Sequence, residues 1–498
     1  MRIYLESLGC RLNYAEMAAL GRQLAGAGHE LTDAATAADL CVLNSCTVTG
    51  EAARQSRQLA RQLARANPAA RLIVTGCYAT LEGETVAQLP NIELVVGNER
   101  KDELLALIEA QVEGPKLQVG QGETDLEPST FNLQPGFNPQ AGRTRAFVKT
   151  QDGCRNHCTF CIVTVARGDE RSRTIAELTA EVNALHAEGY HEAVLTGVHL
   201  GGYGSDLGAD LRALMRALLA ETSIPRLRLS SLEPFDLSAS FFDLWADSQG
   251  RLMPHLHLPA QSGSDAVLRR MARRNRVADF EALVAAARTA IPGLTVTTDL
   301  IAGFPGETEG DFSETLDFAR RVGFAHIHAF PYSARQGTAA ARFDGQVPQV
   351  ERKRRVRALI ELDAELGATV RRTFVGEVRP VLWENREATQ LPENLSEGFF
   401  ANHPEPVFGE LSRAVEGRLT SRTPSASSGQ AQGAQAMIGA GSELSLGPDA
   451  RPIWSGLTDN YLRVLAAAPA ELDLHNRITP LRLERLEGDA LWGAITTA

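Results

Sequence analysis

The sequence predicts an α/β protein in three parts. These are an N-terminal doubly wound parallel α/β domain over residues 1–113, a central partial (β/α) barrel over 141–370, and a small C-terminal β domain over 371–498. Three observations predict this. Short apolar runs alternate with helical patterns from Arg2 to Glu113, as in a parallel sheet. Six further strand–helix units lie between Arg145 and Val370, as in a (β/α) barrel. The last part carries alternating β-like runs without such units.

In the first part Arg2–Leu8 reads as a strand and Glu16–Leu24 as a helix. Leu40–Asn44 is an apolar run ending at Ser45-Cys46, and Glu51–Ala66 is a polar-faced helix. Arg71–Thr75 is a strand ending at Gly76-Cys77, and Ile92–Val96 leads into a helix through Glu113. Residues 114–140 are rich in Gly, Pro, Gln and Asn and read as a linker. The barrel strands are expected at Ala146–Thr150, Ala193–Thr196, Arg226–Ser230, His255–Leu258, Thr295–Ile301 and His326–Phe330. Their carboxyl ends are where such barrels carry their sites. Arg372–Trp383 and Ile453–Val464 read as β runs bracketing an insertion at about 390–450. Within it Thr423–Ala450 contains Ser, Gly, Ala and Gln and no Lys or Arg, a low-complexity segment expected to be disordered and cheap to remove.

Of the 498 residues, 44% are hydrophobic and 22% charged, an ordinary globular balance that excludes a disordered or fibrous chain. No apolar run approaches the ~18 residues of a membrane span. The start, Met1-Arg2-Ile3-Tyr4-Leu5-Glu6, meets an acid too soon for a signal peptide, so a cytoplasmic location is expected. A net charge of −11 argues against a protein that coats nucleic acid non-specifically, and no DNA partner is expected. A local basic patch that touches RNA stays open.

The cysteines are the most informative residues. There are seven, an odd number that speaks against a disulfide framework. Cys154-x-x-x-Cys158-x-x-Cys161 directly follows the first barrel strand. Three thiolates on one loop can hold three irons of a cubane and leave the fourth iron open. A structural zinc site, with His157 as fourth ligand, is the alternative, and the spacing favours the cluster. Cys10, Cys46 and Cys77 each follow a different strand of the first domain, and parallel strand ends emerge on one edge. They read as a second three-thiol site, against the alternative of three unrelated half-buried thiols. Cys41 lies early in its strand and is assigned to the core.

The CxxxCxxC spacing with Phe160 before its last cysteine resembles the radical S-adenosylmethionine superfamily. The resemblance sharpens at Ser7-Leu8-Gly9-Cys10-Arg11-Leu12-Asn13, at Asn44-Ser45-Cys46-Thr47-Val48-Thr49 and at Thr75-Gly76-Cys77. These runs are similar to the N-terminal domain of the methylthiotransferase family. So are Ala166-Arg167-Gly168-Asp169-Glu170-Arg171-Ser172-Arg173, Leu258-Pro259-Ala260-Gln261-Ser262-Gly263-Ser264 and Ile301-Ala302-Gly303-Phe304-Pro305-Gly306-Glu307. The last region is similar to the TRAM domain, a small RNA-binding β-barrel, split here by the insertion. Within the family, Cys10-Arg11-Leu12-Asn13-Tyr14-Ala15-Glu16, Gly197-Val198-His199-Leu200 and Ser230-Ser231-Leu232-Glu233-Pro234 look most like the members that act on threonylcarbamoyladenosine in tRNA. Members acting on isopentenyladenosine in tRNA, or on an aspartate of a ribosomal protein, are the same-class alternatives. A non-catalytic iron–sulfur protein that binds RNA is the alternative of another class.

What the resemblance implies is replacement of the C2 hydrogen of a modified adenine by a methylthio group. It implies a radical SAM central barrel and two 4Fe–4S clusters, one on Cys154, Cys158 and Cys161 and one on Cys10, Cys46 and Cys77. The first cleaves S-adenosylmethionine to a 5′-deoxyadenosyl radical, and the open iron of the second carries the sulfur. tRNA is then the substrate, and an electron donor such as flavodoxin or ferredoxin is needed. Phe160, Gly197, Ser231, Glu233, Gly303, Phe304, Pro305 and Gly306 are the candidate cofactor positions, with ordinary turns as the alternative for each glycine. Arg167, Arg171 and Gln261 are the candidate substrate contacts. An arginine fork suits the threonylcarbamoyl carboxylate, although an ion pair with Asp169 or Glu170, or a phosphate contact, is an equal use of Arg167 and Arg171. His255, His257, His326 and His328 are read as lining a cavity rather than as catalysts. Two basic runs, Arg269 to Arg276 and Arg352 to Arg357, are either solvated helix faces or RNA contacts.

Overall fold

The computed structural model describes residues 1–113, 143–387 and 451–496, so the linker and the insertion expected above lie outside the described residues. The first domain contains β1 (Arg2–Ser7), α1 (Arg11–Gly26), β2 (Glu30–Thr32), β3 (Leu40–Ser45), α2 (Gly50–Ala66), β4 (Arg71–Gly76), α3 (Cys77–Leu81), α4 (Gly83–Ala87), β5 (Ile92–Val96) and α5 (Leu104–Glu113). All its strands are parallel, in the order β2-β1-β3-β4-β5. Both faces of β3 are covered, which is why it reads as a continuous apolar run. Leu40 and Val42 pack with Met17, Leu20 and Leu24 of α1, and Cys41 and Leu43 pack with Ala53, Ala60 and Leu63 of α2. Cys41 is thus a core residue. Helix α2 starts on a Thr49 side chain that accepts from the Ala52 N–H at 3.1 Å. The strand order reverses between β1 and β3, and a crevice opens beyond the carboxyl ends of strands at such a reversal. Cys10 and Cys46 follow those two strands.

The central domain contains β6 (Arg145–Asp152), β7 (Arg171–Ser172), β8 (Glu192–Gly197), β9 (Arg226–Leu229), β10 (His255–His257), β11 (Thr295–Ala302) and β12 (His326–Pro331). Six of these form a parallel arc, with β7 antiparallel beside β6. The bridges Leu227–Leu252 and Ser231–His257 carry the arc from β9 to β10. Strand side chains alternate between faces. Ala146, Val148, Leu195, Leu227, Val296 and Ile327 pack outward against the helices. The intervening positions, including Lys149, Arg228, His255, His257 and Thr297, therefore face inward. Polar side chains dominate this inner chamber, whose side at β6 and β8 is filled where α1 covers Phe147 and Val194.

Helix α1 of the first domain lies against β6, where Tyr14 and Ala15 pack on Phe147 and Val194. Behind this contact is a buried polar junction between the two domains. The Glu16 carboxylate accepts from Lys101 Nζ at 2.7 Å, from Lys149 Nζ at 3.1 Å and from Arg167 Nη1 at 3.0 Å. Arg167 also donates to Asp152 Oδ1 at 2.9 Å and to Asn13 Oδ1 at 2.7 Å. Its side chain is 2% exposed. Burial raises the cost of every charge here, but Arg167, Lys101 and Lys149 outweigh it and hold Glu16 well below the usual carboxylate range.

The last domain is a closed barrel of β13 (Val378–Glu387), β14 (Ile453–Thr458), β15 (Arg463–Ala467), β16 (Ile478–Glu487) and β17 (Ala490–Ile495), in the order β13-β14-β15-β17-β16. Val381, Trp383, Trp454, Val464, Leu481 and Leu491 fill it. Two expectations are corrected. The helix Gln349–Thr373 continues past Arg372, so the strand expected from there begins at Val378. Ile453–Val464 is two strands, because Thr458 turns the chain: its hydroxyl accepts from the Leu462 N–H at 2.8 Å, and Tyr461 takes a φ of +71°. That turn, residues 459–461, lies across the amino ends of the central strands. Asn460 Nδ2 donates to Gly293 O at 3.0 Å, and Arg228 Nη2 donates to Asp459 O at 3.0 Å. The Tyr461 ring stacks on His255 at 4.6 Å. Among the described residues no helix is long and apolar enough to cross a membrane.

The buried junction sets an acid limit on the assembly. Glu16 has a lower pKa folded than unfolded, so its contribution is complete above its unfolded pKa of ~4.3 and is lost as pH falls. Glu16→Ala leaves three buried cations with one fewer acid. It is expected to destabilise the docked domains by ~3–5 kcal/mol at neutral pH, and to flatten the loss of stability on acidification. Urea unfolding followed between pH 7 and pH 4 checks both.

Candidate functional site

Three turns at the carboxyl edge of the first sheet bring the dispersed thiols together. Cys10 follows Gly9, whose φ is +109°. A Cβ on Gly9 would stand 2.7 Å from Cys46 Cβ and 2.9 Å from Cys46 Sγ, so only glycine lets the two loops approach this closely. Cys77 opens α3 after Gly76, where a Cβ would stand 2.3 Å from the Ser45 carbonyl oxygen. Asn13 fastens the first two turns, donating through Nδ2 to Leu8 O at 2.7 Å and to Ser45 O at 3.3 Å. Ser56 holds the Cys46 turn from its other side, donating to Cys46 O at 2.8 Å and accepting from Cys46 N at 3.1 Å. Asn98 Nδ2 reaches Cys77 Sγ at 3.6 Å and donates to Ala166 O of the central domain at 2.7 Å. Burial pushes the Cys46 thiol up to about 12, with Cys77 and Cys10 adding to the shift. Cys10 is raised by burial too, while the Arg167 guanidinium pulls it back. Thiols so placed ionise when a metal takes the proton's place.

The second triplet stands on the loop after β6. Gly153, with φ of +71°, starts it, and a Cβ there would meet Asp169 O at 1.8 Å. Cys154 N donates to Gly168 O at 3.0 Å and closes the loop, and Cys161 N donates to Cys158 O at 3.0 Å. Arg273 Nη1 points at Cys158 Sγ at 3.8 Å. Burial pushes Cys154 up to about 11 and Cys161 up to about 12. His157, the alternative zinc ligand, is exposed. Donors aimed at sulfur and three cysteines per turn cluster suit iron–sulfur ligation in both places, since hydrogen bonds to the sulfurs tune such clusters.

The structure gathers the candidate cofactor positions in three groups. Phe160 meets the edge of Phe304 at 6.5 Å, and Phe304 is fully buried against Val267, Met271, Tyr332 and Ala340, so its ring props the cysteine loop. Beside it Gly303 and Gly306 both have positive φ, at +75° and +77°, and Pro305 between them is buried. Glu233 is clasped by Arg273, through Nη1 at 2.9 Å and through Nη2, and so joins the Cys158 side. Ser231 is exposed at the end of β9. Gly197 faces Gln151, whose Oε1 accepts from the His199 N–H at 2.9 Å. His199 lies between Glu170 at 2.7 Å and Asp236 at 2.5 Å, which outweigh its burial and raise its pKa.

The candidate substrate contacts separate. Arg167 is spent on Glu16, Asp152 and Asn13, so it pairs with protein carboxylates, and those are not the neighbouring Asp169 or Glu170 weighed from the sequence. Arg171 is 51% exposed, 3.8 Å from Asp152. Gln261 has φ of +68° and links β10 to β11 through Asp299 O and the Ile301 N–H. The basic runs are partly engaged within the protein. Arg274 lies over Phe235 at 4.1 Å and Arg270 donates to Gly306 O, while Arg355 pairs with Glu307 at 2.7 Å. Sequence reasoning missed Glu16, Lys101 and Lys149. Asn13 and Glu16 stand in the quoted Cys10 motif, and nothing in the sequence signalled Lys101.

Residues 2–97 match the uncharacterized protein family UPF0004 and residues 148–319 match the radical SAM superfamily. The chain is 36% identical over 408 residues to a threonylcarbamoyladenosine tRNA methylthiotransferase of Bacillus subtilis, covering 82% of this chain and 90% of that protein. It is 35% identical to the protein of the same name from Thermotoga maritima, covering 77% and 86%. It is 33% identical to a tRNA-2-methylthio-N(6)-dimethylallyladenosine synthase of Cereibacter sphaeroides, covering 87% and 99%. With two thiol triplets on facing domains and relatives of this identity along most of its length, the chain belongs to the radical S-adenosylmethionine methylthiotransferase family.

Proposed function

We propose that the protein is a cytoplasmic tRNA-modifying enzyme that places a methylthio group on C2 of N6-threonylcarbamoyladenosine beside the anticodon. The observation that carries the methylthio chemistry is the pair of three-cysteine sites, one at strand ends of the first domain and one on the loop after β6 of the central domain. The threonylcarbamoyl substrate is supported by the names of the relatives at 36% and 35% and by the arginines Arg11, Arg145 and Arg228 gathered around Tyr461.

Cys154, Cys158 and Cys161 would hold one 4Fe–4S cluster, and Cys10, Cys46 and Cys77 the other. When bound, the clusters and S-adenosylmethionine supply an electron, a carbon-centred radical and the sulfur to be inserted. The chain's own part is positioning. Arg273 directs a donor at Cys158 and fixes Glu233 beside it. Phe304 supports Phe160 from behind and keeps the cysteine loop in place. The paired glycines Gly303 and Gly306, with Gly197 and Ser231, leave backbone and small side chains at the strand ends for the cofactor. Arg167 puts a permanent positive charge near Cys10 and partly offsets the rise that burial imposes on that thiol. A one-electron donor such as flavodoxin or ferredoxin completes the requirements.

Two experiments test this. Anaerobic reconstitution is expected to give two clusters per chain. Cys158→Ala should abolish cofactor cleavage, whereas Cys46→Ala should retain cleavage and lose sulfur insertion. Zinc in place of iron, or one cluster, would refute the assignment. Mass spectrometry of nucleosides from tRNA treated with the purified enzyme tests the substrate. The methylthio form of threonylcarbamoyladenosine is expected, and modification of isopentenyladenosine instead would reject it.

A further inference from the structure

The inward face of the central arc is basic, and its acids are already committed. Arg228 Nε donates to Glu192 at 2.6 Å, and Arg226 lies 3.5 Å from the same carboxylate. Arg145 donates to Glu384 at 3.0 Å. These pairs surround Tyr461, with Arg228 4.8 Å and Arg145 5.4 Å from the ring centroid. A third guanidinium joins them from the other domain. Arg11, the residue after Cys10, sits 5.7 Å from the Tyr461 centroid and donates through Nη2 to the Tyr461 hydroxyl at 2.9 Å. Among the described residues Arg11 has a phenol as its recorded polar partner and no acid. A half-buried guanidinium in that state has donors left for an anion.

We infer that Arg11 is the residue that receives the carboxylate of the threonylcarbamoyl group, with the Tyr461 hydroxyl holding its fork in place. This rests on the substrate proposed above. The placement fits the reaction. Arg11 is adjacent to a ligand of one cluster and reaches toward the amino ends of the strands whose carboxyl ends carry the other. From His257 back to His255 is two residues, a rise of roughly 7 Å. The carbamoyl-threonine arm runs four bonds from N6 to its carboxylate carbon, ~5 Å at standard bond lengths. A base bound beside the Cys10 turn would bring that arm within the span of the Arg11 side chain. A planar fork accepts both carboxylate oxygens, and an isopentenyl arm would leave it unpaired beside hydrocarbon. The same residue would thus attract one substrate and reject the other. Arg167 is excluded from this task because its donors are consumed in the domain junction.

The test uses the holoenzyme and two anticodon stem–loop RNAs, one with threonylcarbamoyladenosine and one with its carboxamide counterpart. The unmutated enzyme is expected to prefer the carboxylate by roughly 10- to 100-fold in kcat/KM, mostly through KM. Arg11→Met should reduce that preference to about twofold, with iron and sulfide content showing both clusters assembled. Arg11→Lys keeps the charge without the fork and should lose part of the preference. If either variant keeps the full preference, the inference is overturned. Equal loss on both RNAs would mark a backbone phosphate contact and overturns it as well. If the unmutated enzyme ignores the threonylcarbamoyl RNA altogether, the substrate proposal fails first. If it accepts that RNA and the variants discriminate as before, the receptor alone fails.

Discussion

Glu16 lies on the helix that crosses from the first domain to the central one, buried where no water can solvate its charge. Two cations of the central domain, Lys149 and Arg167, and one of its own domain, Lys101, donate to it. Asp152 shares Arg167 and Lys149. A buried charge is tolerated only when its partners are in place, so the junction has one register and resists sliding. Everything in the chamber depends on that register. It sets which side chain of α1 faces inward and how far one cysteine triplet stands from the other.

The junction also carries two acids against three cations, an excess of one positive charge. That excess lies near Cys10, which feels the Arg167 guanidinium. Three thiolates gathered at one edge would repel each other, and the surplus offsets that. Docking and metal binding therefore share one residue. A substitution that weakens the first acts on the second, even though Arg167 is no ligand.

Where the sequence was legible, the signals were local. Strands that end in a small residue followed by cysteine announced the first site, and the CxxxCxxC loop announced the second. β3 was visible because both its faces are covered. β2 was not, since it is three half-exposed residues, and β7 is only two. The turn at Thr458 was missed because its hydroxyl does the work of a backbone acceptor within an otherwise alternating run. Arg167 was picked out as important, but its partners were sought nearby in the chain. They are Asp152, 15 positions away, and Glu16, 151 positions away, and no periodicity encodes the second pair. Phe304 was expected to offer backbone to the cofactor, and its ring, which the sequence did not place, packs behind Phe160 in an aromatic cluster.

The hydrogen bond from Arg11 to Tyr461 joins residues 450 positions apart. It places a constraint on the order of assembly during translation. At ~5–20 residues per second, Arg11 leaves the ribosome roughly half a minute to a minute and a half before Tyr461. Through that interval the first sheet can fold and the cysteine turns can form, while the amino end of the central chamber stays open. The turn at 459–461 then arrives as the final piece. Metal delivery to the nascent chain thus has a window in which the first site exists and the vessel around it is not yet sealed.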